Sequence, residues 1–153
     1  MSKAFTKEDH DGEEPLPPYH APWPVGTRNY ITAAGYARLR AERDELARLA
    51  PTFETRRRLA IVAVHLEAAE VVAPVEGHIA RVQLGTKVTV EGERTRSYSI
   101  VGVDEVDVAR GRVSWLSPIA KALLGRAVGD EVQMRAPGGE EQLVVRSIEA
   151  LAA

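Results

Sequence analysis

A proline at position 51 divides two helical patterns of similar length, and this division constrains the fold more than any other feature of the chain. Upstream, Tyr36, Leu39, Leu46 and Leu49 recur at spacings of three and seven, which gives one apolar stripe. Arg38, Arg40, Glu42, Arg43, Asp44, Glu45 and Arg48 fill most of the remaining surface. Thr32 is a suitable N-cap, and Pro51 ends the helix because it biases Ala50 away from the α region. Downstream, Thr52 caps a second helix, in which Leu59, Val62, Leu66 and Ala69 recur at a 3-4-3 spacing. The patterns predict helices over 33–50 and 53–71. So short a connection makes them antiparallel. At 1.5 Å per residue each arm is roughly 27 Å long.

From Gly77 onward the period changes to two. Strands are predicted over 86–91, 97–101, 112–115, 131–135 and 142–148. A short helix is predicted over 118–124, with Ser117 as cap, Pro118 at the first helical position and Gly125 as stop. Ala136-Pro137-Gly138-Gly139 suits a type II turn, with Pro137 then Gly138 at its centre. The fold class is therefore α+β: a short antiparallel coiled-coil hairpin, then an antiparallel sheet domain with one short helix.

The expected divisions are a tail over 1–28, a hairpin over 29–73 and a C-terminal domain over 74–153. The tail combines Pro15, Pro17, Pro18, Pro22 and Pro24 with Glu8, Asp9, Asp11, Glu13 and Glu14, a composition that predicts disorder. Tyr19 and Trp23 are the exceptions. They suit docking on the domain or on a partner, or simple local packing.

The absence of cysteine excludes disulfides, zinc ribbons and thiol nucleophiles. A net charge of -2 restricts any nucleic-acid contact to a local patch. No apolar run approaches the roughly 20 residues that span a bilayer, and the first residues lack the apolar core of a signal peptide. A cytoplasmic protein without membrane contact is expected. His10, His20, His65 and His78 show no ligand spacing, and there is no phosphate loop or nucleophile elbow. No catalytic residue, metal or cofactor is expected. Asp104, Glu105 and Asp107 form an acidic cluster open to two readings, a cation site or a solvated loop.

Several spaced segments carry a family resemblance. Ser99-Ile100-Val101-Gly102-Val103-Asp104-Glu105 is followed by Val113-Ser114, then by Ser117-Pro118-Ile119-Ala120-Lys121-Ala122-Leu123-Leu124-Gly125. Val128-Gly129-Asp130 and Pro137-Gly138-Gly139-Glu140 complete the series. In this order they resemble the Gre transcription factors, GreA and GreB. Asn29-Tyr30-Ile31-Thr32 before Gly35-Tyr36-Ala37-Arg38-Leu39 is similar to the start of a Gre coil. The resemblance implies an FKBP-like C-terminal domain that docks on bacterial RNA polymerase, at the β′ subunit beside the secondary channel. It implies a coil that enters the channel, where tip carboxylates help to hold a second Mg²⁺ for cleavage of backtracked RNA.

No segment here matches the Gly-Asp-x-Ser-Glu-Asn-like tip of a Gre cleavage factor. In its short coil the chain is more similar to Rnk-type relatives. The resemblance thus implies a monomeric, non-enzymatic polymerase-binding regulator without cleavage stimulation, with at most weak or indirect nucleic-acid contact. Two alternatives stand beside it: an elongation factor that still stimulates cleavage, and an FKBP-like prolyl isomerase. The implied docking residues are Asp104, Glu105, Trp115, Leu116, Ser117 and Pro118; Trp115, Leu116 and Pro118 form an apolar corner with Ile119 beside a helix N-terminus, a corner that also suits core packing. The expected coil tip holds Glu54, Arg56, Arg57 and Arg58. Its three arginines and the helix dipole suit an acidic rim or RNA phosphate.

Overall fold

The computed structural model describes residues 14–151. His10, Glu8, Asp9, Asp11 and Glu13 lie outside the described residues. A short strand, β1 (Asn29–Ile31), leads into α1 (Ala33–Arg48). The chain turns at Pro51 and returns through α2 (Phe53–Glu67) into β2 (Ala69–Val71). Thr32 and Thr52 cap the two helices as expected, their side chains accepting from Gly35 N and Thr55 N. Ile31, Leu39 and Val62 form the buried centre of the hairpin, with Tyr36, Leu46, Leu66 and Ala69 packed around them.

Both helices are shorter than the patterns predict. Residues 69–71 leave α2 because their backbone pairs with β1, in parallel and in the register Asn29↔Ala69 to Ile31↔Val71. Helix α1 ends before Leu49, which is 48% exposed.

The C-terminal sheet contains β3 (Thr86–Glu91), β4 (Thr95–Val101), β5 (Arg112–Ser114), β6 (Glu131–Ala136) and β7 (Gly139–Ala150). Their order is β5-β4-β3-β7-β6. The alternation in β3 is that of a half-buried strand: Val88 and Val90 enter the core, while Lys87 faces solvent. Ile100, Val132, Leu143 and Val145 complete the apolar face, and α3 (Pro118–Leu123) covers it with Ala120 and Leu123.

Two expectations are corrected here. The sheet is not wholly antiparallel, because β5 runs parallel to β4. Two 3-10 turns, Val103–Glu105 and Val108–Arg110, bring the chain round to make that pairing. The hairpin between β6 and β7 is not closed by a type II turn. Such a turn needs positive φ at Gly138, whereas the positive φ, 125°, falls at Gly139.

Candidate functional site

The joint between the hairpin and the C-terminal domain gathers most of the polar chemistry. Glu105 is 5% exposed and accepts from Thr32 N at 3.1 Å and Gly102 N at 3.0 Å, and from the Thr32 hydroxyl. Arg38 Nη2 stands 3.8 Å away on the outer side. The carboxylate thus ties the start of α1 to the turn after β4. Gly35 and Gly102 make this approach feasible. A Cβ on Gly35 would overlap the Glu105 side chain, and one on Gly102 would come within 2.5 Å of Tyr30 O. The Asn29-Tyr30-Ile31-Thr32 and Gly102–Glu105 segments therefore belong to one contact, although 73 positions separate Thr32 from Glu105.

Asp104 makes the second half of the joint. Its Oδ1 lies 2.7 Å from His65 Nδ1, and its Oδ2 accepts from Asn29 Nδ2 at 3.2 Å. Asn29 Nδ2 also donates to His65 O at 3.0 Å. Burial pushes the Asp104 carboxyl up. Hydrogen bonds from His65 and Asn29, and the charges of His65 and Arg58, outweigh it and hold the group below its ordinary value. Asp104 and Glu105 are thus neither a solvated loop nor a free docking surface. Both carboxylates are engaged inside the joint. Asp107, the third acid of the cluster, faces Arg110 at 3.6 Å. Among the described residues, no group of three or more His, Asp or Glu side chains is placed to hold a metal.

The apolar corner is partly structural and partly open. The Trp115 backbone N–H donates to Val101 O at 3.0 Å, and its ring packs on the sheet core. The ring also meets Tyr30 edge-on, with centroids 5.3 Å apart. Its Nε1 is buried without a partner among the described residues. Ser117 caps α3 by accepting from Ala120 N at 3.2 Å. Leu116 and Ser117 are half-buried, and Pro118 is exposed. The surface of this corner is therefore mainly Leu116 and Pro118.

At the tip, the three arginines do not act as one cluster. Arg58 donates twice to Glu42 across the hairpin, Nε to Oε2 at 3.0 Å and Nη2 to Oε1 at 2.6 Å. Arg56 Nη1 donates to Glu14 O at 3.0 Å. Arg57 is exposed and lies beside Leu16, Pro17 and Pro18, and Glu54 is exposed near the turn.

Sequence reasoning missed the His65–Asp104 pair and the docking of Tyr19 and Trp23 on His65. One signal was available. His65 falls three residues after Val62, on the same buried helix face, and a buried imidazole requires partners.

The description "Transcription elongation factor, GreA/GreB, C-term" belongs to the family model that matches residues 77–150. The chain is 32% identical to the transcription elongation factor GreB of Neisseria meningitidis serogroup B, over 80% of this chain and 94% of that protein. It is 38% identical to GreA of Magnetococcus marinus, over 54% of this chain and 55% of that one. Among solved structures it is similar to the GreA/GreB elongation factor of Nitrosomonas europaea, with a TM-score of 0.45 and 25% identity, over 80% of this chain and 99% of that one. These relatives give no support to the prolyl isomerase reading. By the identity to GreB and the match of its C-terminal half, the chain belongs to the GreA/GreB family of transcription elongation factors.

Proposed function

We propose that the chain docks through its C-terminal domain at the mouth of the secondary channel of bacterial RNA polymerase, beside the β′ subunit. Its short hairpin then guards the entrance without stimulating transcript cleavage. Leu116 and Pro118 would supply the apolar contact, on a corner fixed by the Ser117 cap and the Trp115 ring.

The observation that carries this reading is the length of the hairpin. The helices have 16 and 15 residues, so the rod is roughly 24 Å long. The alignment with GreB spans 155 positions but draws on 80% of 153 residues, about 122, so about 30 positions of GreB face a gap. We read that gap as the missing middle of the hairpin, about 15 residues per arm and so roughly 22 Å of reach. A carboxylate helps a metal from about 2.1 Å, or through one bound water, so the shortfall is too large for a side chain to bridge. Glu54 is the one acid in the first turn of α2, and three arginines follow it closely.

The test uses stalled, backtracked elongation complexes. The protein should bind core polymerase, be displaced by a full-length Gre factor and leave the RNA uncut. RNA shortened in a manner that depends on Glu54 would establish the cleavage-stimulating reading instead. Failure to bind polymerase would sink both.

A further inference from the structure

We propose that residues 15–23 are a strap that fixes the position of the hairpin on the C-terminal domain, with Tyr19 and Trp23 as positioning residues for guarding the channel. The channel-guarding part rests on the function proposed above, while the strap itself stands on contacts within the chain.

The strap follows α2 from tip to base. Glu14 O is held by Arg56 near the tip, and Leu16, Pro17 and Pro18 lie beside Arg57, Ala60 and Ile61. Tyr19 and Trp23 both reach His65. The Tyr19 hydroxyl is 2.5 Å from Nε2, and the Trp23 ring meets the imidazole edge-on at 4.9 Å. Arg28 Nη2 then donates to Glu67 O at 3.1 Å at the base. Contacts thus advance along both segments in the same direction.

His65 passes this contact on to the domain. Nδ1 of His65 faces Asp104 Oδ1 at 2.7 Å and Nε2 faces the Tyr19 hydroxyl, so both ring nitrogens have a partner. The relay Tyr19–His65–Asp104 therefore joins strap, hairpin and C-terminal domain in one line.

Two further features favour a built strap over a chance contact. Pro15, Pro17, Pro18, Pro22 and Pro24 hold the segment extended before it docks, which lowers the entropy cost of ordering it. The hairpin also needs support. Among the described residues its buried apolar centre is Ile31, Leu39 and Val62, and helices of this length are marginal without tertiary packing. The strap supplies a third layer along the outer side of α2. The family model begins at residue 77, so the strap lies outside that match.

The test compares the full chain with Tyr19→Phe and Tyr19→Phe/Trp23→Ala. Amide exchange in α2 should accelerate about tenfold in the double variant, while β3 and β7 keep their protection. Polymerase affinity should change less than about twofold, yet at saturating protein the double variant should no longer keep a small channel-entering probe out of the secondary channel. Unchanged exchange in α2 would overturn the strap. Exclusion of the probe that survives at saturation, or that is lost only in step with affinity, would overturn the positioning role. If the unaltered chain fails to bind polymerase, the function reading fails, and the exchange data still decide the strap.

Discussion

His65 and Asp104 lock the hairpin to the C-terminal domain. Nδ1 of His65, on α2, stands 2.7 Å from Oδ1 of Asp104, in the turn after β4, and the two side chains are 7% and 9% exposed. Asp104→Ala removes the acceptor for His65 and for Asn29 together. Leaving buried donors without an acceptor costs about 1–3 kcal/mol, and breaking a buried pair costs about 3–5. A loss of about 3 kcal/mol is expected in urea unfolding. A loss under about 0.5 kcal/mol would show that the pair is dispensable.

The same pair sets an acid dependence. The Asp104 carboxyl is held below its ordinary value of 3.8 in the folded chain, so the unfolded chain takes up the proton first as pH falls. The stability from this group is fully present above 3.8 and is lost as pH falls through the lowered value. The gap in stability between the unaltered chain and Asp104→Ala should shrink as pH falls below the ordinary carboxylate value of 3.8. A gap that stays constant down to about pH 2 would contradict the assignment.

Close backbone approach at the joint gives a third expectation. Gly102→Ala places a Cβ within 2.5 Å of Tyr30 O and 3.1 Å of Ile31 Cα, both backbone atoms with little freedom to move. Overpacking of this kind costs about 1–3 kcal/mol. Gly138→Ala is the control, because nothing lies within 4 Å of its Cβ position and its φ is not positive. Thermal unfolding should separate the two. Equal melting temperatures would mean that the joint yields.

These joint residues also mark where sequence reading stopped. Thr32, Thr52 and Ser117 were legible as caps because a cap is a local chemical requirement, met within three residues. The core strands were legible from their alternation. The pairing of β1 with β2 was not, because three-residue strands carry no period and their partner lies 40 residues away. The acidic cluster Asp104, Glu105 and Asp107 stays open to two readings in the sequence for a related reason. The burial of Asp104 and Glu105 depends on Asn29, Thr32 and His65, which only the fold brings to them. The run Arg56-Arg57-Arg58 likewise carries no sign in the sequence that Glu14 O and the Glu42 carboxylate engage two of its members.

The Arg58–Glu42 pair crosses the hairpin near its exposed end, with the two side chains 46% and 37% exposed. Glu42 holds the Arg58 guanidinium above its ordinary value by direct hydrogen bonding, although burial opposes this. Exposure and screening keep the stabilisation small, about 0.5–1 kcal/mol even for a bidentate pair. Arg58→Ala should therefore cost less than about 1 kcal/mol at low salt, with most of the difference gone at about 1 M. A larger, salt-insensitive loss in denaturant titrations would show that the arginine's stem, rather than its charge, supports α2.

Docking can be separated from folding at the corner after β5. Leu116 is half-buried and Pro118 exposed, whereas Trp115 packs on the core and Ser117 caps α3. Trp115→Ala would remove core packing and confuse the two roles. Pro118→Glu places a charge on the open surface at the first turn of a helix, where a carboxylate is tolerated. If this corner meets an apolar face of polymerase, burying that charge unpaired should weaken binding at least tenfold, with the melting temperature shifted by less than about 2 °C. Ser117→Ala should show the reverse balance. Loss of the cap lowers stability by about 1 kcal/mol, and affinity follows only as far as α3 frays. Binding that survives Pro118→Glu unchanged would move the docking face elsewhere on the C-terminal domain.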